Sequence, residues 1–238
     1  GASPITPHHT MPNDFLGGLA SRAAALGRTV VFPDSLDPRA LHACARLAAE
    51  RTVRPVLVGP AGKIAELART EKVDLSGVGV EDPATSERRG EVAGALTALD
   101  AARKGGPKPG LPGPESPLVF AGMLVRLGFA HGSVAGSIST TADVVRAALR
   151  TIGLRAGVTK VTSYFLMVFP DRVMAFADCG VLPDPNAAEL AEIAGLASDN
   201  YRAITGGTPV VAFLSFSTKG SASHPMVDKA REAAALFR

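Results

Sequence analysis

The feature that most limits what this chain can become is a pattern met twice near its start. A short aliphatic run broken by proline is followed each time by an amphipathic stretch. TVVFPD (29–34) gives way to DPRALHACARLAAE (37–50), and RPVLVGP (54–60) to AGKIAELARTE (61–71). Each aliphatic run suits a strand buried on both faces, and the proline beyond it ends the run. Asp37 is a good N-cap, and Pro38 sits at the first helical position, where its missing N–H costs nothing. The order β-α-β-α demands a mostly parallel sheet, because parallel neighbours need a helical crossover between them.

Further along, residues 14–26 read as a short amphipathic helix, Ser86 to Arg103 as a longer one, and Pro117 to Leu127 as another. Between the last two lies RKGGPKPGLPGPESP (103–117), whose five prolines and four glycines exclude both helix and central strand and leave an exposed loop. GSVAGS (132–137) reads as a small-residue strand or turn. KVTSYFLMVF (160–169) and RVMAFADC (172–179) are two strands around a Pro-Asp turn and could pair as a hairpin. DPNAAELAEIAGLASDNY (184–201) repeats the Asp-Pro helix start, with Asp184 read as the cap. TPVVAFLSF (208–216) reads as an apolar strand, and MVDKAREAAALFR (226–238) as the last helix.

The composition narrows the function classes. Net charge is +3 with no Lys/Arg block, and no basic-aromatic interleaving suggests nucleic acid. No apolar run is long enough to span a membrane, and no signal pattern opens the chain. Residues 1–10, ahead of Met11, read as unstructured or artificially appended. Cys44 and Cys179 have no near partner, so neither a CxxC site nor a disulfide framework is suggested and the cytoplasm is the expected compartment. The five histidines lack ligand spacing, and no metal is expected. There is no GxSxG elbow, no P-loop and no GxGxxG fingerprint.

Chemistry is suggested at two polar turns. In SISTTADVVRAALRTIG (137–153), Thr140 with Asp143 matches a capping box, in which the hydroxyl accepts from an early helix N–H and the carboxylate reaches back. Positions 144, 145, 148, 149 and 152 form an apolar face, with Asp143, Arg146 and Arg150 on the polar one. A helix N-terminus with the hydroxyls of Ser139, Thr140 and Thr141 and the Arg146 guanidinium suits a phosphate or carboxylate. The alternative is plain capping with a solvated arginine. FLSFSTKGSA (213–222) has the same form and offers Ser217, Thr218 and Lys219. Asp34 and Asp178 are read as ending strands, and His131 and His224 as lying in turns.

Taken together, VFPDSLDPRAL (31–41), PVLVGPAGKI (55–64), STTADVVRAALRTIG (139–153), FADCGVLPDPNAAELAEIA (176–194) and FLSFSTKGSASHPMVDKAREA (213–233) resemble the phosphate acetyltransferase/phosphate butyryltransferase family in order and spacing. The resemblance implies two α/β domains, here about 11–155 and 156–238, with a cleft between them, similar to isopropylmalate and isocitrate dehydrogenases. It implies a homodimer and the reaction acyl-CoA + phosphate ⇌ acyl phosphate + CoA, with coenzyme A or acetyl-CoA as substrate and neither metal nor cofactor. Its substrate-binding arginines correspond to Arg146 and Arg103. The family's catalytic Ser-Arg pair and aspartate belong to a segment beyond the equivalent of Arg238, so no catalytic residue can be named. Activity of these 238 residues alone therefore stays open. The other classes weighed are a non-catalytic acyl-CoA-binding regulatory module and an oxidoreductase of similar architecture.

Overall fold

The computed structural model describes residues 15–103, 110–217 and 221–238. The expectations for residues 1–10, for positions 104–109 of the Pro/Gly-rich loop, and for Thr218 and Lys219 lie outside these. Two compact units emerge, Ala20–Gly153 and Leu154–Arg238, with the start of the first helix, α1 (Phe15–Leu26), grouping with the latter.

The unit Ala20–Gly153 is built on four parallel strands, β1 (Thr29–Phe32), β2 (Arg54–Val58), β3 (Gly79–Glu81) and β4 (Gly132–Ser133), in the order β3-β2-β1-β4. The register sets Val31 beside Val56 and Phe32 beside Leu57. Successive side chains therefore point to opposite faces, and both faces are covered. Phe32 and Leu57 pack with Leu41, Cys44, Ile64 and Ala68 from α2 (Pro38–Ala49) and α3 (Ala61–Glu71). Val31 and Val58 pack with Val92 and Leu96 of α4 (Arg89–Ala101) and Val119 to Leu124 of α5 (Pro117–Arg126). This is the parallel α/β arrangement that the repeated strand-helix pattern predicts. β3 is not expected from the sequence, since three residues opening on glycine carry no run to recognise.

Helix α2 starts as expected, with Asp37 accepting from the Arg39 N–H at 2.9 Å and Pro38 in the first turn. α5 is buried on nearly all sides and lies against α6 (Thr141–Thr151). Two arginines close the far end of α6. Arg103 donates to the carbonyls of Leu149 (3.0 Å) and Arg150 (2.6 Å), and Arg126 to those of Thr151 and Ile152 (3.2 Å each). The last four carbonyls of a helix have no intrahelical donor, and here each receives a guanidinium N–H.

In the unit Leu154–Arg238, β5 (Tyr164–Val168) and β6 (Val173–Ala177) form the antiparallel hairpin around Pro170 and Asp171. α7 (Ala187–Thr205) packs on α8 (Pro225–Phe237) and on β6, where the Tyr201 hydroxyl donates to the Val173 carbonyl at 3.2 Å. Two expectations fail in this unit. Residues 208–216 form no strand, and Val210 and Leu214 are more than 80% exposed. Among the described residues no strand pairs with this segment, and an unpaired run cannot complete a ladder, however apolar it is. Asp184 does not cap α7. Asn186 does, in a full capping box with Glu189, because the helix begins at Ala187 and Asn186 is the residue whose side chain reaches the Glu189 N–H. Asp184 instead accepts from Lys229 Nζ at 2.6 Å.

Candidate functional site

In the sheet order β3-β2-β1-β4, the chain leaves β1 for β2 on one side, while β4 lies on the other. That is a topological switch point, and in open α/β sheets ligands sit beyond the carboxyl ends of the strands flanking it. β1 runs into Asp34, and β4 runs into the loop 134–140 that leads to α6. The site is built where those two strand ends meet.

Asp34, Ser35 and Asp37 are all almost wholly buried at the end of β1. The Asp34 carboxylate gathers the loop from β4. Its Oδ2 accepts from the amides of Gly136 (2.6 Å), Ser137 (2.8 Å) and, more distantly, Ile138 (3.4 Å), and its Oδ1 accepts from the Ser139 hydroxyl. Burial acts to raise the pKa of this carboxyl, but the Ser139 hydroxyl and the three amides outweigh it and the net shift is downward. Arg39 ties the same loop from the other side. It donates to the Ser137 carbonyl at 2.7 Å and to both carboxylate oxygens of Asp37, which holds the Asp37 carboxyl down at about 2.

The next residue, Thr140, is the N-cap of α6. Its Oγ1 accepts from the Asp143 N–H at 3.2 Å and donates to Asp143 Oδ2 at 2.7 Å. The capping box is thus completed differently from the expectation, since the carboxylate takes the cap's hydroxyl and not its backbone N–H. Of the hydroxyls proposed to meet an anion, Ser139 is committed to Asp34 and Thr140 to Asp143. Thr141 is exposed, and its hydroxyl makes no side-chain hydrogen bond among the described residues. Arg146 lies on the exposed side of the helix, 58% accessible, with Nη1 on Asp143 at 2.7 Å.

Arg150 and Arg103 separate from this cluster. Arg150 is not on the polar face as expected. It is buried, pairs with Asp100 of α4 and donates to the Pro112 carbonyl, because its turn of α6 faces α4 and α5. Arg103 belongs to the opposite end of α6 from Thr140, in the carbonyl cap described above. Ser217 lies in the other unit, where its hydroxyl accepts from the Ala222 N–H at 3.0 Å. His131 takes the Thr29 N–H on Nδ1, and His224 caps α8. Asp178, at the end of β6, repeats the device of Asp34, accepting from the Ser163 hydroxyl and from the amides of Gly180, Val181 and Leu182. The gathering roles of Asp34 and Asp178 are what the sequence reading misses. Each looks like an ordinary strand terminus until the topology brings its partners to it. Among the described residues no group of His, Cys, Asp and Glu is disposed to hold a metal ion, and no helix is long and apolar enough to cross a membrane.

Comparison with known proteins identifies the family. The sequence profile of the family described as "Phosphate acetyl/butaryl transferase" matches residues 14–238. The phosphate acetyltransferase of Paracoccus denitrificans is 41% identical over 222 residues, 91% of this chain and 66% of that protein. That of Bacillus subtilis is 34% identical over 94% of this chain and 69% of its own length, and that of Deinococcus radiodurans 36% identical over 95% of this chain and 32% of its own. The chain therefore spans about two thirds of the shorter relatives and a third of the longer one. Among solved structures, the EutD phosphotransacetylase from Staphylococcus aureus superposes with a TM-score of 0.83 at 32% identity, covering 94% of this chain and 67% of that one. A phosphotransacetylase from Streptococcus pyogenes gives 0.82 at 31% identity, covering 95% and 69%. On sequence and structure alike, the chain belongs to the phosphate acetyl/butaryl transferase family.

Proposed function

We propose that this protein transfers an acetyl group between coenzyme A and inorganic phosphate, acetyl-CoA + phosphate ⇌ acetyl phosphate + CoA. The observation that carries the reading is the 41% identity to a phosphate acetyltransferase over 222 residues, a match that spans most of this chain. In the forward direction a phosphate oxygen attacks the thioester carbonyl carbon, a C–O bond forms, the C–S bond breaks, and CoA leaves as a thiolate that takes up a proton. Both reactants are anionic, so the site must offset their repulsion. The N-terminus of α6, the Thr141 hydroxyl and the Arg146 guanidinium supply donors and positive charge beyond the strand ends. Arg39, whose side chain is 73% exposed beside Ser137, adds guanidinium donors there, its charge being paired with Asp37. Ser139 and Thr140 shape this end of the helix, Arg103 supports its other end, and Ser217, Thr218 and Lys219 are substrate-binding candidates of the other unit.

The same reading makes the protein a cytoplasmic homodimer. Acyl-CoA is an intracellular metabolite, and the two cysteines are unbridged. The β5–β6 hairpin leaves the cross-strand pairs Phe165–Phe176 and Met167–Met174 well exposed, an apolar face of the kind an interface covers. Light scattering coupled to gel filtration reads the mass in solution.

The function is tested by mixing the protein with acetyl-CoA and following free thiol as inorganic phosphate is added. Thiol release that requires phosphate and matches acetyl phosphate, trapped as its hydroxamate, is the expected result. Thiol release independent of phosphate, or none from a protein of the relatives' full length, overturns the reading.

A further inference from the structure

We propose that Asp34 is a positioning residue for the substrate-facing end of α6: its buried carboxylate fills the amide cradle of residues 136–138 and takes the Ser139 hydroxyl, so that the loop is shaped by the protein and not by the ligand. The role of α6 in meeting substrate rests on the proposed acyl transfer. The geometry of the cradle does not.

Backbone N–H groups pointing in one direction at a strand end make an anion-binding concavity, and one with serine hydroxyls beside it is the natural seat for a phosphate. Here that seat is already taken. The amides of Gly136 and Ser137 point at one oxygen of Asp34 at 2.6 and 2.8 Å, and Ser139 points at the other. Asp34 is 3% exposed although Gly136, Ser137 and Ile138 are exposed, so the carboxylate closes the cradle from its buried side. The Ser137 carbonyl, which would otherwise be free, receives Arg39 Nη2 at 2.7 Å. Ser139 immediately precedes the cap residue Thr140. Fixing it therefore fixes where α6 begins, and with it the directions of the Thr141 hydroxyl and, one turn on, of Arg146. A substrate anion arriving at this end finds the loop already formed and has no ordering of its own to perform.

The test compares the wild-type chain with Asp34→Ala and Asp34→Asn. Both keep the strand end, and the asparagine keeps the shape while weakening charge-assisted hydrogen bonds. The first readout is hydrogen exchange of the amides in 134–140, which needs no activity. Protection in the wild type, lost by at least ten-fold at Gly136 and Ser137 in Asp34→Ala and partly in Asp34→Asn, is expected. The second is steady-state kinetics with phosphate varied. Asp34→Ala should raise the KM for phosphate ten-fold or more, with kcat less affected. Millimolar formate, which can return a carboxylate to the same donors, should recover part of the loss without helping the wild type. Unchanged exchange in Asp34→Ala overturns the proposal, as does a kinetic defect that follows the fall in Tm and ignores formate. If a wild-type protein of the relatives' full length shows no phosphate-dependent turnover, the functional reading falls while the exchange data still decide the role of Asp34.

Discussion

The guanidinium of Arg150 lies against the carboxylate of Asp100 in a two-pronged pair, Nε to Oδ1 at 3.1 Å and Nη2 to Oδ2 at 2.6 Å, with both side chains 10% exposed. The pair ties α6 to α4 across fifty residues of chain. Removing Asp100 leaves Arg150 buried without its carboxylate, and removing Arg150 leaves Asp100 withdrawn from water with Arg103 Nε 4.0 Å away, a loss of about 3–5 kcal/mol. Arg150→Met and Asp100→Leu should each lower the urea midpoint sharply, while the double variant recovers most of the loss because neither charge remains. A single variant within about 1 kcal/mol of the wild type in urea unfolding refutes this account.

Gly122 faces Thr151 where α5 meets α6, and a Cβ at this position would lie inside contact distance of Thr151 Oγ1 and 2.9 Å from its Cβ. Replacing a helical glycine with alanine ordinarily stabilises by about 1 kcal/mol. Here overpacking reverses the sign, and Gly122→Ala should destabilise by about 1–3 kcal/mol. Gly94, inside α4 with nothing within 4 Å of the same position, is the control, and Gly94→Ala should raise Tm. Thermal unfolding of the two single variants distinguishes the cases by direction alone.

The contrast between these two glycines shows what a sequence can and cannot tell. Both sit in stretches correctly expected to be helical, because periodicity and caps are local. Whether a helix neighbour lies over the glycine is a tertiary fact. Strands β1 and β2 and helices α2, α3, α5 and α6 are legible for the same local reason, and Thr140 announces the start of α6. Helical periodicity sets Arg150 on the polar face, opposite 144, 145, 148, 149 and 152, and a local pattern carries no sign of a partner fifty residues away. The 208–216 run has the composition of a strand, but strand formation needs a second chain segment to pair with. Thr141 and Arg146 read as a helix-end pattern in the sequence, and both are exposed on α6. Asp34 was not legible, since its partners come from a loop a hundred residues later.

Asn186 and Asp184 offer a direct comparison of two candidate caps for α7. Asn186 Oδ1 accepts from the Glu189 N–H at 2.9 Å, and Glu189 returns a bond from its carboxylate to the Asn186 N–H at 3.0 Å. Asn186→Ala should cost about 1 kcal/mol, read as a lower Tm. Asp184 is 88% exposed, and its ion pair with Lys229 is a surface contact. Asp184→Ala should change stability by less than about 0.5 kcal/mol.

Asp178 gives an acid dependence with a defined direction. Burial acts to raise its pKa, but the Ser163 hydroxyl and the amides of Leu182, Gly180 and Val181 outweigh it and hold the carboxyl at about 2, against an ordinary 3.8. With the folded pKa below the unfolded one, the folded state binds fewer protons in that interval. The stabilisation is complete above about pH 4 and is lost as pH falls toward about 2. Its size, allowing for solvent screening, is on the order of 1 kcal/mol. Asp178→Asn should therefore be less stable than the wild type at pH 7 and converge on it near pH 2. A stability difference that does not depend on pH excludes the ionised carboxylate as the cause.

Arg146 and Arg103 stand on the same helix system but should respond oppositely when removed. Arg146 is 58% exposed on the N-terminal half of α6 and, among the described residues, pairs only with Asp143, three residues away. An exposed pair of this spacing stabilises by a few tenths of a kcal/mol, so Arg146→Ala should leave Tm nearly unchanged. If the guanidinium meets phosphate or the phosphates of CoA, the same variant should raise at least one substrate KM by ten-fold or more, about 1.4 kcal/mol of lost binding. Arg103 donates its Nη2 to two carbonyls at the other end of the helix, and its Nε lies 4.0 Å from Asp100. Arg103→Ala should lower Tm by several degrees, with any change in KM following the loss of structure. Arg103→Lys is the decisive variant. A lysine keeps the charge that a bound anion would feel but presents no planar fork to two carbonyls at once. Retained KM with a lowered Tm assigns Arg103 to the helix cap. Retained Tm with a raised KM would return it to the substrate site.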